Sequence, residues 1–281
     1  MMILLTGASA GIGHATALAL AASGHRVIAA ARRTAALEAL AAQSPAIVPL
    51  RLDLADPASI AAALREVDRI TEGRGVDVLV NNAGYATAGA LAELSDADLR
   101  AQFETNVFGL MTLTRGVLPA MLERRAGRII NVSSVSGRIP APVLGAYHAS
   151  KYALEALSDA LRMEVASFGV QVVIVEPGTI RTEFASRTLG EATRARRAES
   201  RYAAIYARAA ELEARFERMA ATPAPVVRAI VRAIESRRPA ARYVAPRRFL
   251  ALIALVKLLP TCWVDAAMRR AFGLTRAQLT P

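Results

Sequence analysis

The chain has 281 residues, a formal net charge of +11 and a hydrophobic content of 54%, which suits one large α/β domain or a domain with a long appendage. Its basic residues are spread over many segments without a known nucleic-acid-binding motif, so we expect no nucleic-acid partner. The single cysteine, Cys262, excludes an internal disulfide and a cysteine-rich metal site. The three histidines are far apart in sequence, so we expect no metal.

Short apolar runs alternate with helical stretches through the first two thirds of the chain. The run MILLTG at the start reads as a first strand rather than a signal peptide, because it has no basic region and no cleavage-like site. The sequence predicts strands at about 2–7, 26–31, 46–54, 76–84, 127–134 and 170–178. It predicts helices at about 12–23 and 34–43, from about 56, over 96–124 and around Tyr147.

The remainder of the chain has a mostly helical pattern. Residues 185–221 are rich in Arg, Glu and Ala, a helix follows within 222–239, and RYVAP at 242–246 fits a last short strand. Near-continuous apolar strands that alternate with helices predict a doubly wound parallel sheet of the Rossmann type, with helices on both faces. We expect a single domain over 1–281, with a core at 1–184 and a helical C-terminal appendage at 185–281.

The segment TGASAGIG, residues 6–13, joins the first strand to the first helix. Its glycines, Gly7, Gly11 and Gly13, allow tight turns and a close approach of a ligand to the backbone. The helix N-terminus offers unpaired N–H groups and a positive dipole end to a pyrophosphate. In this strand–loop–helix context the segment predicts dinucleotide binding, whereas by itself it would also fit an ordinary glycine-rich turn.

The segment YHASK places Tyr147 one helical turn before Lys151, on the same face. A free tyrosine has a pKa of about 10, and a neighbouring cation lowers the pKa of a phenol. The pair therefore predicts a tyrosine that exchanges protons near neutral pH. Taken alone, the same spacing also fits a solvated Tyr–Lys pair on a helix surface.

Six segments occur in order along the chain. They are TGASAGIG, NNAG at 81–84, the asparagine of ETNVFG at 106, SS at 133–134, YHASK at 147–151 and PGTIRT at 177–182. Together they resemble the classical short-chain dehydrogenase/reductase family, closely over residues 2–184 and loosely beyond. The overall pattern is most similar to the branch that contains 17β-hydroxysteroid and retinol dehydrogenases.

The resemblance implies roles for four residues, all of which match the family pattern. Tyr147 would protonate a substrate carbonyl in reduction, or act as the base in oxidation. Lys151 would lower the pKa of Tyr147 and bond the nicotinamide ribose. Ser134, thirteen residues before Tyr147, would bond the substrate oxygen, and Asn106 would hold a water that links Lys151 to solvent. The intact set favours an active enzyme.

The resemblance also implies contacts to a nicotinamide dinucleotide. Asp53 would contact the adenine amino group, with a cap on the following turn as the alternative, and Ile180 and Thr182 would meet the nicotinamide carboxamide. The expected cofactor-binding set is Gly7, Ser9, Gly11, Ile12, Gly13, Arg32, Arg33, Asp53, Leu54, Asn82, Ala83, Gly84, Tyr147, Lys151, Pro177, Gly178, Ile180 and Thr182.

The end of the second predicted strand bears on the choice between NAD and NADP. NAD-preferring dehydrogenases commonly carry an acidic residue there, which bonds the ribose 2′-hydroxyl. This chain has Ala31 at that position, followed by Arg32 and Arg33, and guanidinium groups suit a phosphate. We therefore predict NADP(H), with Arg32 as the main contact and Ser9 assisting. The alternative is a pair of solvated arginines at a helix start.

The apolar run FLALIALVKLL at 249–259 is shorter than the roughly twenty residues that span a bilayer. It fits a lid or core helix over an apolar pocket, or an oligomer contact. The alternative is an interfacial helix whose flanking basic residues make a peripheral contact with anionic lipid. Residues 185–221 would either close over the cofactor or form a solvated surface helix.

The predicted function is an NADP(H)-dependent ketoreductase or alcohol dehydrogenase. The tail resembles that of steroid and retinol dehydrogenases, which implies a bulky hydrophobic substrate such as a steroid, a retinoid or a long-chain carbonyl. Two other functions stay open: a non-catalytic NADP-binding regulator, and a reductase of ketoacyl groups on an acidic carrier protein. The resemblance implies a homodimer or homotetramer, and the cysteine content fits a cytoplasmic location.

Overall fold

A computed structural model describes residues 1–184, 200–208, 211, 214 and 217–275. Within them a single sheet contains seven strands. These are Met2–Thr6 (β1), Arg26–Ala31 (β2), Ile47–Arg51 (β3), Val78–Asn81 (β4), Gly127–Val132 (β5), Val170–Pro177 (β6) and Arg242–Ala245 (β7). The order across the sheet is β3-β2-β1-β4-β5-β6-β7, and all neighbouring pairs are parallel. This confirms the predicted doubly wound parallel sheet.

Helices connect the strands and continue beyond the sheet. They are Gly11–Ala22 (α1), Thr34–Ala41 (α2), Pro57–Thr71 (α3), Asp96–Phe103 (α4), Leu110–Glu123 (α5), Gly145–Val165 (α6), Ala203–Ala207 (α7), Ala224–Glu235 (α8), Phe249–Leu258 (α9) and Thr261–Phe272 (α10). A π-helical stretch, Glu104–Gly109, separates α4 from α5, so the predicted helix over 96–124 is not uniform. Most of the predicted helix over 185–221 lies outside the described residues.

Two apolar layers cover the faces of the sheet. Ile3 and Leu5 of β1 pack in the layer formed with α1 and α8. Leu4, between them, packs in the layer formed with α3 and α5. Because successive side chains of a strand point to opposite faces, a strand covered on both sides is apolar at nearly every position. This requirement explains the unbroken apolar run that predicts β1.

A ladder of buried polar side chains crosses the second layer. The Asn81 Nδ2 atom donates to Thr114 Oγ1 at 3.0 Å and to Asn131 Oδ1 at 2.9 Å. The Asn131 Nδ2 atom in turn donates to Ser158 Oγ at 2.8 Å. These bonds join α5, β4, β5 and α6 in a fixed register, because a buried amide left without a partner would destabilise the fold.

We expect Asn81→Ala to lower the free energy of unfolding by about 1–3 kcal/mol, since it leaves the Thr114 and Asn131 oxygens without their donor. Urea denaturation followed by circular dichroism measures the change. The control is Gln43→Ala, an exposed amide on the surface, which should stay within about 0.5 kcal/mol of the parent. Equal values for the two variants would contradict the structural role of the ladder.

Candidate active site

The loops that follow β1, β4, β5 and β6 meet at the carboxyl edge of the sheet. Here the glycine loop turns from β1 into α1, and Gly7 and Gly11 adopt φ values of +69° and +55°. This left-handed region strongly favours glycine. A Cβ atom on Gly13 would overlap the carbonyl oxygen of Gly7, so the third glycine lets the helix start pack against the turn.

Asn82 holds the glycine loop in place. Its Nδ2 atom donates to the carbonyl oxygens of Thr6 and Gly7 at 2.9 and 3.3 Å. The Thr6 hydroxyl accepts from the backbone N–H groups of Asn82 and Ala83, both at 3.0 Å. The residues of the NNAG segment therefore have different roles. Asn81 belongs to the buried polar ladder, while Asn82 and Ala83 shape the glycine loop.

The start of α1 suits a pyrophosphate. Side chains cap α3 and α4, through Asp56 and Ser95, while α1, like the other helices of the described part of the chain, has no side-chain cap. The first N–H groups of α1 therefore have no side-chain acceptor, which is the condition under which a helix start binds phosphate oxygens. Thr182 closes the other side, since a Cβ atom on Gly11 would lie 3.2 Å from its Cγ2 atom.

Helix α6 brings Tyr147 and Lys151 to the same edge, as their spacing predicts. The Lys151 Nζ atom donates to the carbonyl oxygen of Val132 at 2.9 Å and lies 5.8 Å from the centre of the Tyr147 ring. Ser134, two residues after β5, donates to the carbonyl oxygen of Pro177 at 3.3 Å, and its hydroxyl acts to lower the pKa of Tyr147.

Asn106 joins this group from the π-helical stretch. Its Nδ2 atom donates to the Tyr85 carbonyl oxygen at 2.9 Å and to Ser150 Oγ at 3.1 Å, and its Oδ1 atom accepts from Tyr85 N at 3.2 Å. A Cβ atom on Gly84 would lie 3.2 Å from Asn106 Oδ1 and 3.6 Å from Lys151 Nζ. Because Gly84 has no side chain, it leaves room beside its backbone for both Asn106 Oδ1 and Lys151 Nζ.

Arg33, rather than Arg32, reaches Ser9. The Arg33 guanidinium donates to Ser9 Oγ from Nε at 3.4 Å and from Nη2 at 3.3 Å, and Nη2 lies 3.7 Å from Glu183 Oε2. Arg33 is therefore the arginine that bonds Ser9, while Arg32 as the main phosphate contact stays a prediction. Asp53 accepts from Ala55 N at 3.0 Å, so its carboxylate also fulfils the turn-capping alternative.

Apolar and polar groups of the C-terminal half border the site. The Phe184 ring lies 5.5 Å from the Tyr147 ring, centre to centre. Helix α7 contributes Tyr206, whose hydroxyl accepts from Ala90 N at 2.9 Å and donates to Glu93 Oε2 at 3.1 Å. These bonds anchor the described part of the 185–221 segment on the loop that follows β4.

Comparison with known proteins identifies the family. The family model for short chain dehydrogenases matches residues 1–192. The chain belongs to the short-chain dehydrogenase/reductase family. The chain is 44% identical to the uncharacterized oxidoreductase YbbO of Escherichia coli K12 over 182 residues, 65% of this chain and 66% of YbbO. The match thus spans slightly less than two thirds of the length of that relative.

Two other curated relatives extend the comparison. A 3-ketodihydrosphingosine reductase of Bacteroides thetaiotaomicron is 37% identical over 194 residues, 68% of this chain and 69% of that protein. The probable dehydrogenase/reductase VdlC of Helicobacter pylori J99 is 32% identical over 278 residues, 95% of this chain and 96% of VdlC.

Solved structures share the fold. A short-chain dehydrogenase from Streptomyces avermitilis has a TM-score of 0.77 and 31% identity, covering 98% of this chain and 97% of that one. The closed form of a serine dehydrogenase with NADP+ has a TM-score of 0.75 and 28% identity, covering 87% of this chain and 94% of that one. A short chain dehydrogenase/reductase from Burkholderia phymatum in complex with NAD has a TM-score of 0.77 and 25% identity, covering 91% of this chain and 92% of that one. Both nicotinamide cofactors thus occur among similar structures.

Burial governs the protonation of the two central groups of this family member. Tyr147 is 8% exposed and Lys151 is 5% exposed. Burial raises the pKa of Tyr147 to about 12, against an opposing hydrogen bond with Ser134. The direction is opposite to the one that the Tyr–Lys spacing predicts. Burial also lowers the pKa of Lys151 to about 8, while the charge of Glu155 acts to raise it.

Glu155 belongs to a buried ionic cluster that the sequence analysis missed. Its Oε2 atom lies 3.2 Å from Arg242 Nη2, and Arg242 Nε lies 3.2 Å from Glu176 Oε1. Arg138 Nη1 approaches the same Glu176 oxygen at 2.7 Å. One signal was available in the sequence, because Glu155 follows Lys151 by four residues and so shares its helix face.

We expect Glu155→Gln to move the alkaline fall of kcat/KM toward lower pH. The Glu155 carboxylate raises the pKa of Lys151, so its removal lowers the pH at which the ammonium loses its proton. At a fixed pH above the pKa of Lys151, the fraction of Lys151 that carries a charge falls about tenfold for each unit by which that pKa is lowered. The matched control is Asp159→Asn, one turn further along α6 and also bonded to Arg242. If both variants shift the profile equally, the effect does not come from Glu155 acting on Lys151.

Proposed function

We propose that the protein is an NADP(H)-dependent oxidoreductase that transfers hydride between the nicotinamide and a carbonyl or secondary alcohol of a bulky hydrophobic molecule. The observation that carries this proposal is the convergence of Ser134, Tyr147 and Lys151 beside the glycine loop. The hydroxyls of Ser134 and Tyr147 fit a substrate carbonyl, and the ammonium of Lys151 fits a ribose. The uncapped start of α1, at the same edge of the sheet, fits a pyrophosphate.

Each residue has a separate task in this proposal, and the nicotinamide, when bound, supplies or accepts the hydride. The hydroxyls of Ser134 and Tyr147 bond the substrate oxygen and fix its orientation. Tyr147 gives its proton to that oxygen in reduction and receives it in oxidation. Lys151 binds the ribose and favours the tyrosinate through its charge. Asn106 borders the space at Gly84 through which a proton would return to Tyr147.

NADP(H) is favoured by the contact between Arg33 and Ser9. Those side chains follow β2 and β1, at the edge where the ribose of a doubly wound fold lies. A 2′-phosphate would replace Glu183 as the anionic partner of Arg33, since a guanidinium bonds phosphate through several donors. Arg32, Leu54 and Ile12 stay predicted members of the cofactor site.

A hydrophobic substrate is supported by the apolar groups around Tyr147. Phe184 lies against the tyrosine ring, and a Cβ atom on Gly145, at the start of α6, would overlap the exposed Leu91 side chain. The relative named 3-ketodihydrosphingosine reductase also supports a long-chain ketone, which belongs with the steroid and retinoid ketones as candidates.

We also propose a homo-oligomer and a cytoplasmic location. The exposed side chains of Phe108, Tyr152 and Met163 lie on or beside α5 and α6 and offer an apolar contact between subunits. We further propose a single domain over 1–281, because β7, which belongs to the C-terminal part of the chain, completes the sheet of the core.

The first test is NADPH oxidation over a panel of a steroid ketone, retinal, a long-chain ketone, an aryl ketone and a carrier-bound ketoacyl thioester. We expect turnover of a free hydrophobic carbonyl, and Tyr147→Phe should lower kcat by about 10²–10⁴-fold because it removes the proton donor. NADPH binding by Tyr147→Phe serves as the folding control. Turnover of the thioester alone would identify a carrier-dependent reductase, and tight NADPH binding without any turnover would favour a regulator.

The cofactor assignment is tested with Arg33→Ala, and Arg32→Ala is the matched control. Loss of charge-assisted bonds to a 2′-phosphate costs about 1.5–3 kcal/mol, so Arg33→Ala should raise the KM for NADPH by about tenfold or more. The KM for NADH should change little, and Arg32→Ala should have the smaller effect on both. Equal values of kcat/KM for NADH and NADPH in the parent protein would contradict the proposed preference for NADP(H).

A further inference from the structure

Helix α9 presents apolar side chains to solvent. Only Ile253 of this helix is buried, whereas Leu252, Leu255 and Leu258 are 42%, 53% and 83% exposed. Because these leucines recur every third residue, they share the side of the helix that faces away from the sheet. The core-helix alternative for this run therefore does not describe the structure.

Further exposed apolar side chains occur in the same part of the chain. Leu250 belongs to the same helix, and Trp263 of α10 is 65% exposed. Single exposed apolar residues are ordinary, but five large ones within fourteen residues of chain, 250–263, favour a surface that binds a partner. We call Leu250, Leu252, Leu255, Leu258 and Trp263 the C-terminal apolar face.

Basic residues precede, interrupt and follow the C-terminal apolar face along the chain. Residues 247–275 contain five basic side chains and one acidic side chain, Asp265. The five basic side chains, all exposed, are Arg247, Arg248, Lys257, Arg269 and Arg270. A second copy of the chain would bring the same cations together, whereas anionic headgroups would neutralise them. Apolar side chains beside cations, with a tryptophan among them, are typical of helices that lie in a membrane interface.

We infer that the C-terminal apolar face lies in the interface of an anionic lipid bilayer, with α9 parallel to the membrane plane. Among the described residues, no helix has both the length and the apolar character that crossing a bilayer requires. The inference needs no catalysis, so it can be tested separately from the proposed reaction.

The start of α9 also adjoins the carboxyl edge of the sheet. A Cβ atom on Gly178, directly after β6, would overlap the Phe249 ring at the start of α9. Arg248 stacks on that ring, with its guanidinium carbon 5.4 Å from the ring centre, and donates to the carbonyl oxygen of Met219. The surface assigned to lipid therefore begins beside the loop that carries Thr182.

The test is co-sedimentation of the full chain with vesicles of phosphatidylcholine, with and without phosphatidylglycerol. We expect binding to the anionic vesicles, at least tenfold weaker binding to the neutral ones, and a decrease as salt screens the cations. Failure of the parent protein to bind either kind of vesicle would overturn the inference.

Variants separate the apolar contribution from folding. Leu255→Gln with Leu258→Gln should weaken binding to anionic vesicles at least tenfold. The control, Ala22→Gln with Phe168→Gln, alters exposed positions at the opposite edge of the sheet and should leave binding unchanged. If the leucine variant instead lowers the oligomer mass in analytical ultracentrifugation and vesicle binding is unaltered, the face is a subunit contact and the inference is wrong.

A second pair of variants tests the charge. Arg269→Gln with Arg270→Gln should reduce binding to anionic vesicles and flatten its salt dependence. Arg65→Gln with Arg100→Gln makes the same change in net charge at exposed sites elsewhere and should have a much smaller effect. Equal effects of the two pairs would show that net charge alone drives binding, which contradicts a localised surface.

Discussion

The buried ammonium of Lys151 is the constraint on which much of the structure depends. A charge removed from water destabilises a fold unless partners replace the water. Val132 supplies a carbonyl oxygen from β5, and Glu155 supplies a carboxylate charge from the same helix. Because Glu155 is itself buried, it needs Arg242 in turn. Helix α6, which carries Tyr147 and Lys151, is thus linked electrostatically to the last strand of the sheet.

The fold could be predicted from sequence because its physical requirements are local. A parallel strand with helices on both faces is mostly apolar, so β1 and β2 appear as near-continuous apolar runs, and β5 and β6 contain apolar runs with few polar positions. The glycine loop and the spacing of Tyr147 and Lys151 are also local patterns. Their convergence follows once parallel strands place their carboxyl ends at one edge, which is why residues that meet at this edge could be named before the structure.

Side-chain direction and burial could not be predicted in the same way. Strand β2 ends at Ala31 and Arg33 occupies the N-cap position of α2, so the exact turn decides which arginine faces Ser9. The pKa of Tyr147 depends on burial, which the spacing to Lys151 does not reveal. The ionic cluster was missed because Glu155 and Arg242 are far apart in sequence and meet only through the order of the strands.

Arg242 limits how the C-terminal part of the chain can diverge. The matched family region ends at residue 192, yet Arg242 of β7 neutralises Glu176 and Glu155 inside that region. A shortened protein without β7 would retain two buried carboxylates with less positive charge nearby and an uncovered edge on β6. Insertions and deletions around β7 are therefore compatible with the fold only where a strand and a cation are kept at this edge. The part of the chain beyond the matched family region thus contains one position that is bound to α6 by charge.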